Sequence, residues 1–284
     1  MTNRDCCSGR TGFYRKQKDF SHKCCHKERS AEQLEADTVT ENRPHHQGDN
    51  AMPEICRECE ARHKGICGVL TSAELRTLSQ SSSQRVYEKG ITLIQDGSPT
   101  EHYANVLNGI VKLSKTLQDG RQQIVGLQFA PDFLGRAMAQ ESAFTAETAS
   151  EVKLCRFPKS AIDRMIDSIP ELQHRMLEQV LIQLDEARDW ILTLGRKSAT
   201  EKVASLLLLM ALHLDPLLEE GEMADGITFE LPLSRADIAD FLGLTLETVS
   251  RQMSKLRQLG VIEIEHSRTI TINDREHLTD ISGI

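Results

Sequence analysis

Leu177, Val180, Leu184, Ala187, Ile191 and Leu194 recur at alternating intervals of three and four residues. That spacing is the a/d seam of a two-stranded coiled coil. Pro170 suits the first turn of the helix that carries it. A helix of 28 residues from Pro170 to Lys197 is about 42 Å long at ~1.5 Å per residue. The same apolar types would serve a helix packed on its own domain. Two things favour a seam between two copies of the chain. Glu178, Gln179, Asp185, Glu186, Arg188 and Asp189 leave the rest of the surface polar, and the rod is long for one small domain. Residues 168–197 are therefore read as a dimerisation helix, and the segments on either side must fold as separate units.

The preceding segment has a different period. "ITLIQDGS", "HYANVLNGIVKLSK" and "RQQIVGLQFA" are short β-branched or alternating runs. Asp96-Gly97, Asn108-Gly109 and Asp119-Gly120 punctuate them as turn dipeptides. Turns this closely spaced predict an all-β roll rather than βαβ units. The roll and the cysteine-bearing stretch before it are assigned to residues 51–165.

The segment 198–284 contains "LSRADIADFLGLTLETVSRQMSKLRQLGVIEIEHSRTITI". Ser234 can cap a first helix, with Asp237 in its first turn, and Gly243 can end it. Thr245 can cap a second helix that stops at Gly260. Two short helices joined by a tight glycine turn make a helix-turn-helix. "VIEIE" and "TITI" around His266-Ser267-Arg268 predict the hairpin of a wing. On the second helix Glu247, Ser250 and Arg251 share one face, near the end that enters the major groove. Arg251 can fork onto guanine O6 and N7, and Glu247 can accept from a cytosine amine. Ser250 can bond a base or a phosphate. Val249, Met253 and Leu256 fall on the core face. An exposed ion pair between Glu247 and Arg251 is the simpler reading of those two residues alone. The winged context favours base readout, with double-stranded DNA as partner.

Composition narrows the class further. The chain has 284 residues, a net charge of −8, and no apolar run of the ~18 residues that would span a membrane. "MTNRDCCSGR" lacks the apolar stretch of a signal peptide, so the expected location is the cytoplasm. There the eight cysteines are expected as thiols or metal ligands rather than structural disulfides. Residues 1–50 read as a disordered tail without apolar periodicity. Cys6, Cys7, Cys24 and Cys25 lie in it, as vicinal pairs ill-suited to one tetrahedral site. Cys56, Cys59 and Cys67 crowd into "EICRECEARHKGIC", and Cys155 stands alone. Three thiols leave a four-ligand site incomplete. CxxC spacing also fits zinc with a histidine as fourth ligand. No Ser-His-Asp elbow, P-loop or GxGxxG appears, so an enzyme is not expected.

At these residues a resemblance becomes specific. From about Cys56 to Ile281 the chain resembles the cyclic-AMP receptor protein and FNR superfamily of transcription regulators. "LTLETVSRQMSKL" is its most specific element. The resemblance implies an α+β architecture: a cyclic-nucleotide-binding-like β-roll sensor, a long dimerisation helix and a C-terminal winged helix-turn-helix. It also implies RNA polymerase as a partner. The cyclic-AMP branch carries an Arg-Ser pair in its phosphate cassette. Here Gln140 and Glu141 fall near that pair, which argues against a cyclic nucleotide. Leu246 stands where that branch has an arginine before the recognition glutamate. An apolar side chain there can meet a thymine methyl, similar to FNR-type readout of TTGAT inverted repeats by Glu247, Ser250 and Arg251.

FNR-like sensors hold a [4Fe-4S] cluster with three N-terminal cysteines and one from the roll, four thiolates in all. By that resemblance Cys56, Cys59, Cys67 and Cys155 are the ligands. The gap between Cys59 and Cys67 is longer than in the best-known member and holds Arg62-His63, similar to an α-proteobacterial branch. Ala187 replaces an acid of that member's seam. The resemblance implies a DNA-binding activator of anaerobic genes that is lost from DNA when oxygen dismantles the cluster. Arg57, Arg62, Lys64 and Arg156 can offset the cluster's charge or be plain surface cations. The alternatives are a regulator without a cluster, answering to a protein partner or to haem and nitric oxide through His63, His102 or His174, and a zinc-stabilised module.

Overall fold

The computed structural model describes residues 52–57, 59–214 and 226–283. The expected tail and its four cysteines lie outside them. The cysteine-bearing stretch is helical, as α1 (Glu54–Arg57), α2 (Glu60–Lys64), a 3-10 turn over Ile66–Val69, and α3 (Ser72–Ser79). A reciprocal capping box starts α3: the Thr71 hydroxyl accepts from the Glu74 N–H, and the Glu74 carboxylate accepts from the Thr71 N–H. That box is legible in "TSAE" but did not enter the sequence reading.

Eight strands follow: β1 (Ser83–Tyr87), β2 (Thr92–Ile94), β3 (His102–Asn108), β4 (Val111–Thr116), β5 (Gln122–Gln128), β6 (Phe133–Leu134), β7 (Thr145–Thr148) and β8 (Val152–Pro158). They form two antiparallel four-stranded sheets, ordered β1-β8-β3-β6 and β2-β7-β4-β5. This is the expected roll. Side chains alternate across a strand, and here the alternation divides two cores. Ala104, Val106, Val152 and Leu154 point into the roll interior with Val111 and Ala146. Tyr103, Phe157 and half-buried Cys155 point outward, into a second core with Ile66, Cys67, Leu75 and Leu172. The cysteine stretch therefore packs on the roll's outer face.

After the roll come α4 (Lys159–Ser168) and α5 (Pro170–Arg196). Pro170 stands in the first turn of α5, as expected. Among the described residues, helix α5 packs on its own chain near its ends. Leu172 is buried in the outer core, and Trp190 tilts onto Phe241 with ring centroids 4.5 Å apart. Between them the stripe is bare: Leu177, Val180 and Leu184 are exposed, and Ala187 and Ile191 follow. Leu194 is half-buried. Leu181, Ile182 and Leu192, outside the seam as read, are exposed too.

The last unit is α6 (Ala199–Leu214), β9 (Ile227–Glu230), α7 (Arg235–Leu242), α8 (Leu246–Gln258), β10 (Ile262–Glu265), β11 (Thr269–Ile272) and α9 (Arg275–Ser282). Ser234 and Asp237 form a full capping box on α7, Gly243 closes it in the left-handed conformation, and Thr245 caps α8. The wing has a strand more than expected. β9 pairs with β11, giving the order β10-β11-β9.

The roll and the winged unit are tied by Lys112 of β4. Its ammonium lies 2.7 Å from Asp237 and 2.8 Å from Glu147. Gln123 of β5 donates to the Phe241 carbonyl at 3.0 Å. Burial alone would raise the Asp237 pKa, but hydrogen bonds from Lys112 and from the Ser234 hydroxyl and N–H outweigh it, so the carboxyl is held below its ordinary value. Burial likewise opposes the Lys112 charge, and bonds to Asp237 and Glu147 outweigh it, raising its pKa. A depressed folded-state carboxyl contributes stability above its unfolded value of ~3.9, and that contribution is lost as pH falls through the folded value. Lys112→Met is therefore expected to cost roughly 1.5–3 kcal/mol at pH 7. It should also flatten the fall in stability between about pH 5 and pH 2. Urea melts of both proteins across that range measure each effect.

Candidate metal centre and DNA-reading helix

Cys56, Cys59, Cys67 and Cys155 line one small pocket, with Arg62, Leu75, Leu78, Ser82, Asn105 and Phe157 around them. The two segments reach it for different reasons. Cys155 is set by strand parity: β8 lies between β1 and β3, and Cys155 shares the outward face with Phe157. Cys67 is set by the 3-10 turn, whose Ile66 is wholly buried. Cys56 and Cys59 come from the short helical stretch before it. All four are free thiols.

Electrostatics records their proximity. Burial, helped by Cys155, Cys59 and Cys56 and opposed by a hydrogen bond from Asn105, pushes the Cys67 thiol up to about 12. Burial, helped by Cys59 and Cys56, pushes the Cys155 thiol up to about 12 as well. Cys56 is raised by burial and by Cys59, and lowered by Arg62. Among the described residues, no three Cys, His, Asp or Glu side chains stand close enough to grip a single metal ion. A tetrahedral zinc site with Zn–S near ~2.3 Å needs such a grip.

Of the four cations considered for charge balance, Arg62 alone lines the pocket. Arg156 lies on the other face of β8 and donates to the Tyr87 hydroxyl at 3.2 Å. His63 and His102 are exposed. His174 pairs with Glu178 at 3.2 Å, in a shallow groove with Arg175 and Glu171 at the foot of α5. None of the three histidines lines the cysteine pocket. The groove at His174 is charged, unlike the apolar slot a haem needs.

The centre abuts the helix that carries the apolar stripe. Ile66, Cys67 and Leu70 share a core with Ile162, Ile166 and Leu172. Arg175 of α5 also donates to the Lys64 carbonyl.

On α8, Val249, Met253 and Leu256 are buried as expected, and Glu247 and Arg251 are exposed on the opposite side with Ser250 part-exposed. Glu247 and Arg251 form no ion pair. Arg251 donates to the Thr248 hydroxyl at 3.3 Å. Glu247 is fully exposed, and first-turn backbone N–H and the Thr245 hydroxyl hold its carboxyl below the ordinary value. Both charges are thus available to base edges. Leu246 is also exposed at the head of the helix.

Residues 201–281 match the Crp-like helix-turn-helix domain, and residues 84–168 match the cyclic nucleotide-binding domain. A probable transcriptional activator of Rhizobium leguminosarum bv. viciae is 50% identical over 81% of this chain and 94% of its own. This chain belongs to the CRP/FNR superfamily of transcription regulators, in its FNR-like branch. The transcriptional activator protein FnrL of Cereibacter sphaeroides is 41% identical over 80% of this chain and 92% of its own. The solved structure of FixK2 from Bradyrhizobium japonicum superposes with a TM-score of 0.63 at 30% identity, covering 70% of this chain and 96% of that one. These CRP/FNR relatives are regulators, not enzymes, and members are typically dimeric.

Proposed function

We propose that this CRP/FNR regulator is a homodimeric, oxygen-responsive transcriptional activator that works in the cytoplasm. Cys56, Cys59, Cys67 and Cys155 hold a [4Fe-4S] cluster, and α8 reads TTGAT-type inverted repeats. The observation that carries it is the convergence of four thiols, three from the segment before the roll and one from β8, on a pocket at the foot of α5. Four thiols are the ligand set that a four-iron cluster would take. The pocket is small. Helices α1 and α2, which carry or flank Cys56 and Cys59, are a turn or so long, while Cys155 lies within a sheet.

When bound, the cluster supplies an oxygen-labile link between four thiolates. The protein's own residues turn that link into a DNA-binding state. Cysteines held together fix Ile66 and Leu70 against Ile166 and Leu172 and so set the foot of α5. The exposed stripe Leu177, Val180, Leu184, Ala187 and Ile191 then meets its copy, with Leu194 at the end. The pairing spaces two α8 helices for a two-fold site. RNA polymerase is the expected protein partner. Glu141 is exposed and acidic where the cyclic-AMP branch holds a phosphate, so no cyclic nucleotide is expected.

Anaerobic purification followed by iron, sulfide and zinc analysis tests the centre. Iron and acid-labile sulfide in equal amount support it. Zinc alone, or haem absorbance, overturns it. For the DNA face, Arg251→Ala is expected to lose roughly 1–3 kcal/mol of discrimination between a TTGAT duplex and a scrambled one, at fixed salt. Equal binding of the two duplexes by the wild type would sink the readout assignment.

A further inference from the structure

Asn105 is an amide in an apolar setting. It sits in the middle of β3, 1% exposed, on the outward face it shares with Tyr103. Burying an amide among Tyr103, Phe133 and Phe157 is unfavourable unless its polar atoms are bonded. Its two ends differ. Nδ2 donates to Cys67 Sγ at 3.4 Å. Oδ1 is buried and has no partner among the described residues. An apolar residue of this size would fill the site without that orphan acceptor, so the amide needs a reason to be here.

Register supplies one. Asn105 is directly opposite Cys155 on β8 and opposite Phe133 on β6. Directly opposed residues on neighbouring strands keep their Cβ atoms ~4.5–5.5 Å apart on one face. Asn105 therefore flanks Cys155 while bonding Cys67, two cysteines that reach the pocket from separate segments. It lines that same pocket.

We propose that Asn105 is a positioning residue of the metal centre, whose amide N–H holds the Cys67 sulfur beside Cys155 and donates to it as a thiolate ligand. The inference rests on the cluster reading above and adds a residue to it. A hydrogen bond to a thiolate is charge-assisted and stronger than the bond to a neutral thiol. It withdraws charge from the sulfur, which makes reduction of the bound group easier. Hydrogen bonds to ligand sulfurs are one of the levers by which a protein sets a cluster's potential.

Two variants of the full chain separate this role from space-filling. Asn105→Leu keeps the size and removes both the donor and the orphan acceptor. Asn105→Asp keeps the shape and turns an acceptor toward Cys67. On metal-free protein, N-ethylmaleimide labelling followed by peptide mass spectrometry reads each cysteine separately. Cys67 labelling is expected to slow several-fold in both variants, because the lost N–H no longer favours the reactive thiolate, with Cys155 unchanged in Asn105→Leu. On protein loaded anaerobically with ferrous iron and sulfide, the midpoint potential should fall in Asn105→Leu. Iron release to a chelator should quicken by on the order of tenfold. Unchanged Cys67 labelling in an Asn105→Leu protein that melts like the wild type would overturn the assignment, as would an unchanged potential. A wild type that takes up no iron and sulfide defeats the cluster reading alone. The maleimide rates still decide whether Asn105 holds Cys67.

Discussion

Cys155→Ala, purified under argon, is expected to lose nearly all of the iron and sulfide that the wild type carries, and to lose anaerobic DNA binding with it. Four thiolates are the set a [4Fe-4S] cluster takes, and Cys155 is the member that ties the other three to the roll. It is half-buried on β8, paired with Gln84 of β1 on one side and Asn105 of β3 on the other. Replacing a half-buried thiol by alanine leaves the backbone ladder intact, so the metal-free variant should melt close to the metal-free wild type. That control matters, because iron loss with an unchanged melt cannot be put down to unfolding. Absorbance, iron and sulfide analysis, and gel shift under argon read the three quantities. Retention of iron and of the shift would remove the cluster assignment and leave a regulator answering to some other signal.

Gly109→Val is expected to cost about 3 kcal/mol or more of stability, near the upper end of what single substitutions do. Gly109 has φ of 84°, a conformation that a β-branched residue reaches only with strain. A Cβ built there would also lie 2.1 Å from the Glu151 carbonyl oxygen and 2.9 Å from Val152 Cα. Both atoms are backbone at the entry to β8, which cannot swing aside without shifting the strand that carries Cys155. Gly120 is the internal comparison. Its φ is 87°, yet nothing lies within 4 Å of its would-be Cβ. Gly120→Ala should therefore cost only about 1 kcal/mol, the conformational part. Denaturant unfolding of both variants measures the difference. Equal costs would mean that the Glu151 contact does not constrain the turn.

Much of this protein is legible in its sequence because the signals are local. The three turn dipeptides bracket the strands of the roll, the Ser234–Asp237 box and Gly243 bound α7, and Thr245 and Gly260 bound α8. Each is a few residues acting on their own backbone. The elements the sequence reading passed over carried weaker signals of the same kind: the Thr71–Glu74 box of α3, the alternating "ITFE" of β9, and Asp274 capping α9. The apolar stripe on α5 was readable in period. The exposed Leu181, Ile182 and Leu192 show that the bare surface is broader than a strict a/d seam.

The centre and the inter-unit ties were not readable in that way. Spacing alone presents Cys56, Cys59 and Cys67 as an incomplete site. Cys155 joins them because β8 is a central strand whose parity turns it outward, onto the face that the cysteine segment covers. Nothing near Asn105 in the chain marks it, since its partners are Cys67 and Cys155 across a sheet and a helical turn. Lys112 is likewise an ordinary strand lysine until α7 arrives beside it. By itself the sequence determined the kinds of element, their caps and turns, and which face of α8 is buried and which is left exposed, because those depend on interactions within a few residues. Only the tertiary structure decided which distant side chains share a pocket. That outcome depends on strand order and register, which contacts of long sequence separation set without leaving a mark in any local window.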